Sequence, residues 1–209
     1  MTAFTSKAQK AALGIAAVAG ATLVLRIILR LEISGGVIGS LSYLSQFFTI
    51  LTNFLVFITM LLIGRGHRIS PRIIRALTVA IACVGLVYHT VLAHLLDLSG
   101  LDLLADHGVH TIVPILTLLW WLFLAPKPKV SGMDPLLWTL WPLLYCGYIL
   151  IRASGSGFYP YPFLNVTELG GSNVAFNVVI LVGVFIVVGL ALAFLERFLR
   201  TTPTPTDPA

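Results

Sequence analysis

LSYLSQFFTILTNFLVFITMLLI, residues 41–63, decides the fold, because no Asp, Glu, Lys or Arg interrupts it. A run of about 20 apolar residues matches the ~30 Å hydrocarbon core of a bilayer. A segment in lipid must satisfy its backbone groups internally, so the run predicts a helix. Five further apolar runs occupy residues 11–31, 73–96, 109–125, 136–151 and 174–194. With 58% hydrophobic and 10% charged residues and a mean hydropathy of +0.99, soluble classes are excluded. The expected architecture is all-α: one bundle of six transmembrane helices over residues 1–200, with a disordered Pro/Thr-rich tail at 201–209.

Charge placement sets the topology. Lys7, Lys10, Arg65, Arg68, Arg72, Arg75, Lys127, Lys129, Arg197 and Arg200 fall on one face, and only Arg26, Arg30 and Arg152 on the other. This positive-inside bias predicts cytoplasmic termini. Glu32, Asp97, Asp102, Asp106 and Glu168 fall on the outer side. The net charge of +5 therefore orients the chain, and no nucleic-acid partner is expected. Cys83 and Cys146 lie within spans and read as small packing residues. The first run begins like a signal peptide but is too long and ends in RIILR, which predicts a retained helix. Pro71 suits the start of the third helix, and the acidic segment 97–106 has room for a short interfacial helix. The outer loop carries SGSGFYPYPFLN, whose Tyr159, Tyr161 and Phe163 are expected at the headgroup level. No internal repeat supports an inverted-repeat transporter.

The polar residues at depth are the functional question, since an intramembrane polar group needs a partner or a role. Gln46, Thr49 and Asn53 are spaced to share one helical face. His89 lies about 10 Å below the outer end of the third span, His94 nearer the surface, and His107 and His110 open the fourth. Thr49, His89 and His110 thus reach similar depth from three helices, which points to an outward-facing pocket. Each has a structural alternative: Thr bonding its own i−4 carbonyl, His packed through hydrogen bonds, and Arg26 and Arg30 snorkelling to headgroups. Four His beside three Asp raise the question of zinc, but no ligand spacing supports a metal site.

QFFTILTN (46–53), DHGVHTIVP (106–114), WWLFLAPK (120–127) and WPLLYCGYILIRASGSGFYPYPFLN (141–165) resemble the androgen-induced-gene and androgen-dependent TFPI-regulating protein family, most closely its bacterial branch. The resemblance spans roughly residues 41–193 and implies a multipass membrane hydrolase that cleaves fatty acid esters of hydroxy fatty acids. It places the threonine nucleophile on Thr49 and the histidine on His110, with His107 as the alternative. It also implies a bacterial cytoplasmic membrane protein whose site faces outward, with lipid esters and membrane lipids as partners and no cofactor.

The chemistry is consistent with that assignment. A hydroxyl needs an adjacent base to become a nucleophile, and imidazole titrates near the operating pH. Asn53 is the expected oxyanion donor, with Thr52, His89 and His107 in supporting positions. Arg152 or Arg26 is expected to pair with a substrate carboxylate. Asp106, nearest in sequence to the histidine, is expected to point to water. Three other readings remain open: a proton-coupled transporter or channel with a His relay, a metal-dependent hydrolase using His89, His107 and His110, and a scaffold whose polar groups join helices.

Overall fold

The computed structural model describes residues 4–95, 97–127 and 131–200, with side chains described to residue 197. The expected tail at 201–209, together with Lys129 and Arg200's side chain, lies outside that description. Among the described residues the chain is all helical. The helices are α1 (Ser6–Arg30), α2 (Val37–Leu44), α3 (Phe48–Gly64), α4 (Pro71–Val87), α5 (Gly100–His107), α6 (Val113–Leu124), α7 (Asp134–Ser156), α8 (Val166–Leu169) and α9 (Gly171–Arg200). Among the described residues five helical stretches are long and apolar enough to cross a membrane, and the bent pair α2 and α3 makes six when taken as one span.

That pair corrects the expectation of one continuous second span. α2 and α3 meet at 103°, with Phe47 extended between them (φ −99°, ψ 124°). Breaking a helix at depth frees carbonyls that lipid cannot satisfy. Here α7 supplies the donors. The Tyr145 hydroxyl donates to the Gln46 carbonyl at 2.6 Å. Arg152 donates to the Ser42 carbonyl at 2.8 Å, to the Ser42 hydroxyl at 2.9 Å and to the Ser45 hydroxyl at 3.0 Å. A cation at a helix C-terminus also meets the negative end of its dipole. The break makes Thr49 the second residue of α3 instead of a mid-helix position.

A second correction concerns residues 97–106. The helix begins at Gly100, and α5 runs into α6 as one apolar stretch, Gly100–Leu124. Between them, Gly108–Ile112 forms a π-helical turn. Its cause is local. Pro114 has no N–H for the His110 carbonyl, and the turn before it opens so that the Val113 N–H reaches the Gly108 carbonyl. A matching π turn, Tyr88–Leu92, extends α4 on the facing side. Such turns recur at functional sites.

The bundle closes around α4, which packs against α3, α6, α7 and α9. α1 lays Ala8, Ala12, Ala16 and Ala19, all fully or almost fully buried, against its neighbours. Small residues at that spacing let membrane helices approach closely. Two glycines do the same for the helix of His110. A Cβ at Gly108 would stand 2.3 Å from Thr22 Cγ2, and one at Gly85 3.3 Å from the His110 carbonyl oxygen. Near the opposite end, Arg75 is completely buried and pairs with Asp134 at 3.0 Å and Glu196 at 2.7 Å. Arg72 adds a longer contact to Asp134, 3.8 Å. This ion network joins α4, α7 and α9, and it uses as a structural group an arginine counted only toward topology.

Candidate active site

Thr49 projects from the first turn of α3 and is 7% exposed. Its hydroxyl lies 3.2 Å from His110 Nε2. On the other side of the ring, Nδ1 lies 3.1 Å from Asp106 Oδ1 and 3.2 Å from the Asp106 carbonyl oxygen. Asp106 and His110 are four residues apart, so the helix places them on one face. Asp106 is 1% exposed, and the same Oδ1 accepts from Arg26 Nη2 at 2.6 Å. The expectation that Asp106 points to water is therefore wrong. The helix that carries His110 begins at Gly100, ahead of the start expected near His107, and Arg26 compensates the buried charge.

With Asp106 accepting from Nδ1–H, the tautomer leaves Nε2 with a lone pair facing the Thr49 hydroxyl. The imidazole is held from a further side. The Tyr88 ring, carried on the π turn after α4, stacks on it with centroids 3.9 Å apart and planes within 10°. The Tyr88 hydroxyl stands near the Asp106 carboxylate. The line from Arg26 through Asp106 and His110 to Thr49 is the order of parts that activates a hydroxyl nucleophile: orienting acid, base and nucleophile.

The remaining expected residues divide. Asn53 is fully buried and donates to the Thr49 carbonyl at 2.8 Å and to the Val109 carbonyl at 3.0 Å. Its amide hydrogens are spent on these carbonyls, so it fixes α3 to the π turn of His110 instead of facing a substrate. Thr52 accepts from Trp141 Nε1 at 3.0 Å and ties α3 to α7. His89 and His107 meet at Thr111, at 2.9 and 3.5 Å, on the exposed side of the helix pair. Their rings do not converge with His110 on a common point, and His94 is exposed with them. Among the described residues no group of three His, Cys, Asp or Glu is placed to hold a metal. Arg152 is occupied in capping α2, and Gln46 turns its amide onto the Tyr43 carbonyl at 3.3 Å.

Two hollows meet at Thr49. The wider, about 550 Å³, is bordered by Arg26, Arg30, Tyr43, Asp106 and His110. The narrower, about 40 Å³, is apolar and runs between Cys83, Val84, Leu181 and Phe185. Thr49, Tyr88, Leu92 and Tyr161 border both. In the wider hollow the Arg30 guanidinium lies 3.7 Å over the Tyr43 ring, and it has no acidic partner among the described residues. Tyr161 was expected at the headgroups with its neighbours. It is instead 8% exposed, while Tyr159 and Phe163 stay half-buried.

Asp106, Tyr88 and Tyr161 are the site residues that sequence reasoning missed. The spacing of Asp106 to His110 was a usable signal once a helix is allowed to start at Gly100. Nothing in sequence pattern announces Tyr88 or Tyr161.

No curated protein and no solved structure matches the chain. A family match covers residues 84–196, from the last turn of α4 to near the end of α9, and so includes Asp106, His110 and Tyr161 but not Thr49. It spans more than half of the chain, which is therefore a member of the FAR-17a/AIG1-like protein family.

Proposed function

We propose that this protein is a membrane-embedded lipid ester hydrolase with Thr49 as nucleophile and His110 as general base. The observation that carries the reading is the 3.2 Å approach of Thr49 Oγ1 to His110 Nε2, with Asp106 3.1 Å from the other ring nitrogen. Family membership is compatible with hydrolase activity. In the reaction, the Thr49 oxygen attacks the ester carbonyl carbon while its proton passes to His110 Nε2. The imidazolium then protonates the departing alkoxide, leaving an acyl-threonine. Water, deprotonated by the same nitrogen, releases the acid and restores Thr49. Asp106 stabilises the transient imidazolium without itself taking the proton.

The wider hollow suits an amphiphilic ester, with Leu29, Ile33 and Leu98 beside the acyl chain and Arg30 beside the more polar part. Fatty acid esters of hydroxy fatty acids, or similar lipid esters, fit that division. Arg30 then replaces Arg152 as the cation for a free carboxylate, with Arg26 already engaged by Asp106. We further propose cytoplasmic termini and a site facing outward, on the positive-inside asymmetry, in a bacterial cytoplasmic membrane. The test is a mutant cycle on purified protein with a lipid ester. A nucleophile and its base act in one step, so their losses do not add. Thr49→Ala, His110→Ala and the double variant are expected to be equally inactive and normally folded. Wild-type turnover by Thr49→Ala would remove the threonine mechanism.

A further inference from the structure

The loop after α7 reaches back into the bundle through one side chain. Pro160 and Pro162 restrict the backbone on both sides of Tyr161, and its ring is gripped by aromatics. It meets Phe47 edge-on at 6.4 Å and Tyr145 at 6.2 Å, and stacks on Phe163 at 5.3 Å. Tyr161 borders both hollows beside Thr49, with its hydroxyl on the side of the Thr49 hydroxyl and of the first backbone N–H groups of α3. Those N–H groups belong to the first turn of α3, where helices have no internal acceptor. The first i→i−4 bond here runs from the Leu51 N–H to the Phe47 carbonyl, 3.1 Å. Attack at Thr49 makes an oxyanion that requires donors; the Asn53 amide is spent on two carbonyls, and Thr52 is fully buried against Trp141.

We propose that the Tyr161 hydroxyl and the Thr49 N–H form the oxyanion hole, which makes Tyr161 a catalytic residue. This rests on the threonine hydrolase reading above. As the Thr49 oxygen bonds to the carbonyl carbon, the carbonyl π pair moves onto its oxygen, which accepts hydrogen bonds from Tyr161 O–H and Thr49 N–H. Neither donor gives up its proton. When the bond to the alcohol oxygen breaks, the pair returns to re-form the carbonyl, and His110 delivers its proton to the leaving alkoxide. Burial pushes the Tyr161 hydroxyl above its ordinary value, so the phenol stays protonated and able to donate at neutral pH.

Tyr161→Phe keeps the ring and its packing and removes only the donor. On the full chain in detergent, with p-nitrophenyl octanoate as substrate, kcat is expected to fall about 10²–10³-fold, the loss typical of one oxyanion donor. KM should change little. Affinity for an alkyl trifluoromethyl ketone, which forms a tetrahedral adduct, should fall in step with kcat. Tyr159→Phe is the control and should match wild type. If Thr49→Ala is inactive while Tyr161→Phe keeps wild-type kcat, Tyr161 is a packing residue and the hydrolase reading survives. If Thr49→Ala turns over normally, both readings fall. Should Tyr161→Phe not fold, 2,3-difluorotyrosine at position 161 keeps ring and hydroxyl but ionises more readily. The more acidic phenol donates more strongly, so affinity for the trifluoromethyl ketone should rise, and an unchanged affinity would overturn the assignment.

Discussion

Asp106→Asn isolates the orienting role of the acid. The substitution preserves shape but removes the charge that faces His110 Nδ1 at 3.1 Å. When His110 takes the threonine proton it becomes a cation, and two unit charges at that distance interact by about 5 kcal/mol at an effective dielectric of ~20. At 1.36 kcal/mol per decade this corresponds to roughly four decades of rate. Two structural consequences act in the same direction. The Asn amide can donate to Nδ1, which moves the imidazole proton to Nε2, where it blocks the threonine. Arg26, deprived of its 2.6 Å partner, adds an uncompensated positive charge beside the imidazolium. The assay is kcat on a lipid ester, with melting in detergent as a check on folding. A fall of about 10³–10⁴ in kcat is expected. An Asp106→Asn variant that folds and stays within tenfold of wild type would refute the charge argument and leave Asp106 as a structural partner of Arg26.

Arg152→Ala should lower the melting temperature, because it strips the cap from α2 and leaves its carbonyls without donors, about 1–3 kcal/mol; a change in KM for acidic esters but not for their methyl esters would instead restore Arg152 to substrate binding. Glu196→Ala leaves Arg75 buried with half of its ion network, and breaking one side of a buried pair costs about 3–5 kcal/mol; thermal melting should show it, with kcat at low temperature nearly unchanged. Cysteines introduced at positions 100 and 156 of a variant lacking Cys83 and Cys146 should react with an impermeant maleimide from outside, and one at 67 only from inside. Reversed labelling would overturn the orientation.

The helical architecture was legible because lipid leaves a long apolar run little choice but helix, and the runs announce themselves by length. The common depth of Thr49 and His110 was legible as well, and the structure brings the two within 3.2 Å. What escaped the sequence depends on partners far away in the chain. The break at residues 45–47 is permitted by Tyr145 and Arg152, a hundred residues on, and nothing in LSYLSQFFT shows that its carbonyls will be met. Reading the second span as continuous put Gln46, Thr49 and Asn53 on one face; in the structure they do three different jobs. Asp106 was hidden because the fourth span was started near His107, which left the acid outside the helix that carries His110. Arg75, Asp134 and Glu196 sit near helix ends, where charge is ordinary, so only their packing reveals a buried network. The Tyr161 loop has the composition of an interfacial belt, yet its insertion sets Tyr161 edge-on to Phe47 at the kink between α2 and α3.

A threonine nucleophile has its oxygen covalently bonded during turnover. Reaction of the purified protein with an alkyl fluorophosphonate, followed by digestion and mass spectrometric mapping, reads that bond directly. A single adduct on Thr49 is expected, formed at a much reduced rate in His110→Ala and absent in Thr49→Ser only if the serine hydroxyl is misplaced. Stoichiometric adduct on another residue that also blocks hydrolysis, or full inhibition with Thr49 unmodified, would contradict it.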